Sequence, residues 1–161
     1  LLLNLPPNKE GKLSEADIRS LRGFRQLYAN TFTDNLLANA KVTCAVSEGK
    51  GRNVIDDNYD TSVRPKMKDG KAVFQFKLKK PATFNVLSVQ EDIRKGQRVE
   101  KFSLEVKDAK GNWKKVTGGT TVGHKRLLKF PVETAKEVRL IISEVRAVPT
   151  ISEIGLYRLR D

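Results

Sequence analysis

Two hydrophobic rhythms divide the chain. Between Glu15 and about Ala29, the residues Ile18, Leu21, Phe24, Leu27 and Tyr28 recur at three and four residues, the spacing of one helix face. Ser14 followed by Asp17 reads as a capping box, with Asp17 standing where Glu or Gln is usual. Ahead of this helix, Leu1 to Leu5 reads as a buried strand stopped by Pro6-Pro7, and Asn8 to Lys12 as a loop with Gly11. One strand with one helix cannot bury itself, so this unit implies a parallel sheet supplied by chain outside the sequence. Leu1 to Leu5 has no basic leader and no cleavage site, and the chain reads as an internal piece of a longer protein.

From Ala40 onward the period changes to two. Ala72, Phe74, Phe76 and Leu78 share one strand face, while Lys71, Gln75 and Lys77 take the other. Phe102, Leu104 and Val106 alternate with Ser103, Glu105 and Lys107, and Val138, Leu140 and Ile142 alternate as cleanly. Further strands are predicted over Val42 to Val46, Phe84 to Gln90, Trp113 to Val116, Thr120 to Val122, Arg126 to Phe130 and Ile151 to Tyr157. Pro81 is expected to end the strand before it, and Asp108 to Asn112 with Gly111 to form a hairpin turn. About eight short strands predict a mainly β domain, an antiparallel β-sandwich or jelly roll. The expected division is 1–34 for the strand, helix and linker, and 35–161 for the sandwich.

Composition narrows the function classes. The 161 residues are 39% hydrophobic and 31% charged, with a net charge of +12. That balance suits a globular domain, and no apolar run is long enough to span a bilayer. The Lys and Arg residues are dispersed among Asp and Glu without an RNA-reading aromatic motif, which argues against nucleic acid as the partner. Cys44 is the single cysteine and His124 the single histidine. No intramolecular disulfide can form, and Cys44 lies in an apolar run as a small hydrophobe.

The densest local chemistry is Asn53 to Thr61, where five of nine residues are Asn or Asp. Such residues favour turns and offer many hard oxygens, the donors a calcium ion takes. The Gly and closing Glu of an EF-hand are missing, so a closing ligand must come from elsewhere, and Glu153 is the candidate. The alternative is a solvated turn that holds no ion.

Two resemblances enter through specific motifs. Leu1-Leu2-Leu3-Asn4-Leu5-Pro6-Pro7-Asn8-Lys9-Glu10-Gly11 and the helix after it resemble the end of the catalytic (β/α) barrel of α-L-fucosidases. Leu37 to Thr43, Val54 to Thr61 and Val138-Arg139-Leu140 resemble the discoidin or coagulation-factor type C domain, a galactose-binding-like jelly roll. Glu91 to Val99 and Gly123 to Arg126 are similar to the version found behind fucosidases.

The resemblance implies a structural calcium held by Asp56 and Thr61 side chains, the Asn58 carbonyl and Glu153. Asp57 and Val63 stand where the family often has Gly and Trp. It also implies that the catalytic carboxylates lie upstream, so no catalytic residue is assigned in this chain. A retaining glycosidase needs two carboxyl groups roughly 5–5.5 Å apart, and the local pair Glu91-Asp92 is adjacent in sequence.

The implied role is a non-catalytic accessory domain, a carbohydrate-binding module for fucose- or galactose-containing glycans. Arg64, Glu91, Arg94, His124 and Arg146 are the candidate sugar contacts, with Tyr59 and Trp113 as the aromatic candidates. Competing readings are a structural domain that stabilises the upstream barrel, or a loop over Glu91 to Gln97 that completes the parent's active site. The resemblance further implies a periplasmic or secreted protein with no membrane insertion.

Overall fold

The computed structural model describes residues 4–160, so the predicted strand at Leu1 to Leu5 lies mostly outside the described residues. Asn4 to Pro7 carries no regular structure. Helix α1 spans Glu15–Phe32. Ser14 caps it, its hydroxyl accepting from Asp17 N at 3.1 Å and donating to the Asp17 carboxylate at 2.7 Å. Asp17 therefore reciprocates through the hydroxyl; the longer Glu of a capping box would reach the backbone N–H of the cap.

The helix runs past the expected end at Ala29 because its last turn has something to pack on. Tyr28 stacks on Phe32 at 5.0 Å, and Phe32 meets Tyr157 edge-on at 5.0 Å. Gly155 makes room for that ring, since a Cβ there would lie 2.5 Å from Tyr157. The amphipathic stripe is otherwise uncovered: Ile18 and Leu21 are half-buried, and Leu27 and Tyr28 are each 50% exposed.

Eight strands follow among the described residues: β1 Lys41–Thr43, β2 Val46–Glu48, β3 Arg64–Pro65, β4 Ala72–Glu91, β5 Val99–Lys107, β6 Trp113–Thr120, β7 Arg126–Val145 and β8 Ile151–Tyr157. The large sheet runs β1-β4-β7-β5-β6, with β8 on β4, and β2 pairs with β3 separately. All pairs are antiparallel. The first half of β4 pairs with β1 and the end of β7, while its second half pairs with β8 and the start of β7. One pair of long strands thus serves both layers of a jelly roll.

Three expectations shift. The predicted strand Val42 to Val46 splits into β1 and β2, because the chain leaves the β4 edge to pair with β3. The predicted strands at Trp113 and Thr120 merge into β6. Pro81 does not end β4, because it lies where the β4–β7 register slips between Lys77 and Ala82 and no ladder N–H is required. Pro131 sits in β7 opposite the second slip, between Phe84 and Val86.

The alternating faces bury as predicted. Phe74, Phe76, Phe84, Phe102, Leu104, Leu140, Ile142, Ile154 and Leu156 form the core. In register, Phe76 lies opposite Val138, while Phe74 and Leu104 flank Leu140 on its two sides.

Candidate functional site

Val54 and Ile55 are buried and anchor a 3₁₀ turn, Gly51–Val54, leaving Asp56 to Asp60 exposed beyond it. The loop is held by its own side chains. Asp56 accepts from Asn58 N at 3.1 Å, and Asn58 Oδ1 accepts from Asp60 N at 3.0 Å. Asp57 has φ 55°, a left-handed conformation that Asp tolerates better than most residues. Thr61 Oγ1 lies 2.9 Å from the Asp56 carboxylate and 3.0 Å from the Asn58 carbonyl. Three of the four oxygens implied for calcium are therefore gathered in one place.

The fourth residue, Glu153, comes from β8 and is only 4% exposed. Its Oε1 accepts from Asn35 Nδ2 at 3.4 Å, and its Oε2 is buried with no hydrogen-bond partner. Burial pushes its pKa up to about 8, and the charges of Asp56 and Asp57 push the same way, against the opposing pull of the Asp57 backbone N–H and the Lys125 charge. An orphaned carboxylate oxygen facing further carboxylates is what a cation would resolve. No group of three His, Cys, Asp or Glu side chains placed to hold a metal ion occurs among the described residues. The set combines carboxylates with a hydroxyl and a carbonyl, a mixture that suits a hard ion.

A second loop leans on the first. After β4, a 3₁₀ turn covers Ile93–Lys95, and the buried Asp92 accepts from Arg94 N. The Arg94 guanidinium donates through Nε to Asp92 at 2.8 Å, through Nη1 to Asp60 at 3.0 Å, and through Nη2 to the Tyr59 carbonyl at 3.2 Å. That hydrogen bond from Arg94 holds the Asp92 carboxyl below the usual range. Beneath the turn, Glu91 is 1% exposed and accepts from Arg98 N at 2.7 Å, Val99 N at 3.0 Å and Gly123 N at 2.9 Å.

The two loops enclose a cavity of about 220 Å³, with Tyr59, Asp60, Arg94, His124 and Ser152 on its walls. Of the predicted sugar contacts, Glu91, Arg94 and His124 line this cavity. Glu91 does so as a buried loop anchor. Arg64 lies in a separate groove with Ser47 and Val148. Arg146 is absent from the cavity walls and pairs with Glu100 at 2.6 Å. Trp113 packs on the sheet under Arg139, 4.3 Å from the ring centroid.

Sequence reasoning gave no site role to Asn35, Asp60 or Asp92, the last of which entered only as half of the adjacent pair Glu91-Asp92. Asn35 is a linker residue whose side chain holds Glu153 and also accepts from Leu37 N and Leu156 N. Nothing local marks it. Asp60 could be suspected only from the Asp-rich loop that contains it.

The profile of the F5/8 type C domain matches residues 38–154. The chain is 37% identical over 164 residues to alpha-L-fucosidase 1 of Arabidopsis thaliana, covering 97% of this chain and 32% of that protein. It superposes on a putative alpha-L-fucosidase of Bacteroides thetaiotaomicron with a TM-score of 0.90 and 30% identity, over 98% of this chain and 36% of that one. The Clostridium perfringens domain CpGH89CBM32-5, solved in complex with GalNAc-β-1,3-galactose, shares the fold alone: TM-score 0.68, 20% identity, 77% of this chain and 99% of that one. The chain spans about a third of the length of the fucosidases it matches, and it belongs to the F5/8 type C domain family.

Proposed function

We propose that this F5/8 type C domain is a non-catalytic accessory domain of an α-L-fucosidase, binding a glycan unit in the cavity between Tyr59, Arg94 and His124. The observation that carries the reading is the Asp60–Arg94–Asp92 chain of contacts, which fastens two polar loops around one concave space. The cavity volume of about 220 Å³ suits a single small sugar ring. Tyr59, 53% exposed, offers an aromatic surface, while His124 and Asp60 offer polar atoms for hydroxyl groups. Calcium, held by Asp56, Asn58, Thr61 and Glu153, would fix the Tyr59–Asp60 segment that forms one wall.

The non-catalytic reading is supported by how the best acids of the domain are used. Glu91 is spent on three backbone N–H groups, and Asp92 and Asp60 are both engaged by Arg94. A glycosidase pair needs an acid and a base free to face the scissile bond. The catalytic barrel is assigned to chain upstream, and a periplasmic or secreted setting goes with that assignment. No described helix is long and apolar enough to cross a membrane.

A second reading has its own support. Phe24, Leu27 and Tyr28 leave an apolar face on α1, which suits packing on that barrel. The deciding experiment is a backbone amide NMR titration with fucose, galactose and a fucosylated oligosaccharide in calcium buffer. Shifts at Tyr59, Arg94 and His124 are expected. No shift at millimolar sugar would leave the structural role in its place.

A further inference from the structure

A groove of about 580 Å³ runs along the β1 edge and shares no lining residue with the cavity above. Its rim is Lys41 from β1, Lys77 and Lys79 from β4, Lys136 from β7 and Arg52 from the first 3₁₀ turn; these are five of its nine lining residues, and no acid lines it. Ala40, Val42 and Leu78 form an apolar floor. All five cations are exposed.

Two features separate this from an ordinary charged surface. Lys41 and Lys77 are direct cross-strand partners, an arrangement that costs stability because like charges face each other. The neighbouring acid does little to offset it. Glu137 lies 3.9 Å from Lys77 Nζ and is bonded more closely by Gln75 at 3.2 Å and Lys107 at 3.4 Å. Lys41, Lys79 and Lys136 have no carboxylate within ion-pair distance among the described residues.

We propose that this groove docks an anionic polysaccharide, its repeated negative groups held by Lys41, Lys77, Lys79 and Lys136 while a sugar face rests on the apolar floor. The choice of polymer rests in part on the glycan reading above; the charge argument does not. The groove has no aromatic side chain on which a nucleobase could stack. Its apolar residues are recessed, so no wedge is presented to a bilayer. Four of the five cations are Lys, compact point charges that suit separated single anions.

The test measures affinity of the whole chain for polygalacturonate, dextran sulfate, uncharged dextran and single-stranded RNA, at low and raised salt. The two acidic polymers distinguish carboxylate from sulfate ester as the recognised group. The combined Lys41→Gln, Lys79→Gln, Lys136→Gln variant is compared with Lys9→Gln, Lys12→Gln, Lys110→Gln, which has the same net charge but changes exposed positions outside the groove. Expected are salt-sensitive binding of at least one acidic polysaccharide, none of dextran, and a loss of about tenfold or more in the groove variant alone. An equal loss in the control variant would overturn the proposal in favour of general charge. RNA bound more tightly than both acidic polysaccharides would overturn it in favour of nucleic acid, and failure of both acidic polymers to bind would end it. Arg94→Ala should leave the acidic-polymer affinity unchanged, so failure of the sugar cavity and failure of the groove read out separately.

Discussion

Glu91 accepts the backbone N–H of Gly123 at 2.9 Å, tying the end of β4 to the loop that carries His124. The same carboxylate takes Arg98 N and Val99 N on the other side, so one buried side chain ties the loop after β4 to the loop that carries His124. Glu91→Gln removes the charge and turns one acceptor into a donor facing an N–H. The expected cost is about 3 kcal/mol, or a fall in Tm of roughly 10 °C. A thermal melt checks it, and a melt unchanged by the substitution would mean the loops are held by other contacts.

Glu153 gives a prediction with a worked sign. Its folded pKa, about 8, lies above the ordinary carboxylate value, so the folded state holds the proton more tightly than the unfolded one. The contribution to stability is present at low pH and is lost as pH rises through about 8. Chelated protein should therefore melt lower at pH 8 than at pH 5, through this group. Calcium needs the ionised carboxylate, so the rise in Tm on adding calcium should grow over the same interval. Glu153→Gln should raise the Tm of chelated protein at pH 8 and abolish the calcium response. A melt indifferent to calcium, with no calcium by elemental analysis, would remove the ion.

What the sequence made legible followed from range. The alternating faces of β4, β5 and β7 were readable because a pleated strand repeats every two residues, and the burial of Phe74, Phe102 and Leu140 agrees. Strand lengths were not, because Pro81 and Pro131 look like breaks until a register slip is known to lie beside each. Asp56, Asn58 and Thr61 stood out because they share one short Asn- and Asp-rich stretch. The contact of Asn35 with Glu153 spans 118 positions, and that of Arg94 with Asp60 spans 34. Only the assembled fold brings those pairs together.

Arg94 is predicted to matter for the geometry of the cavity more than for stability. Its side chain is 56% exposed and that of Asp60 88%, so that pair contributes about 0–1 kcal/mol, while the buried Asp92 keeps a cationic partner when Lys replaces Arg. Arg94→Lys keeps the charge but loses the fork that joins Asp92, Asp60 and the Tyr59 carbonyl. The Tm should change by no more than about 3 °C, while sugar-induced amide shifts at Tyr59 and His124 should weaken or vanish. Sugar binding equal to that of the parent chain would show that the two loops keep their positions without this link.

Helix α1 carries two apolar surfaces with different fates, and substitution separates them. Phe32 is half-buried against Tyr157, so Phe32→Ala should cost about 1–3 kcal/mol and release the helix from β8. Hydrogen exchange would read this as lost protection in Glu15–Phe32 with the sandwich core intact. Leu27 sits 50% exposed, and Leu27→Ala should change the melt of this chain by less than about 0.5 kcal/mol. In a protein that also carries the upstream barrel, the same Leu27→Ala should cost several times more, because the face would then be buried. An equal, small effect in both settings would show that α1 is not the surface that meets the barrel.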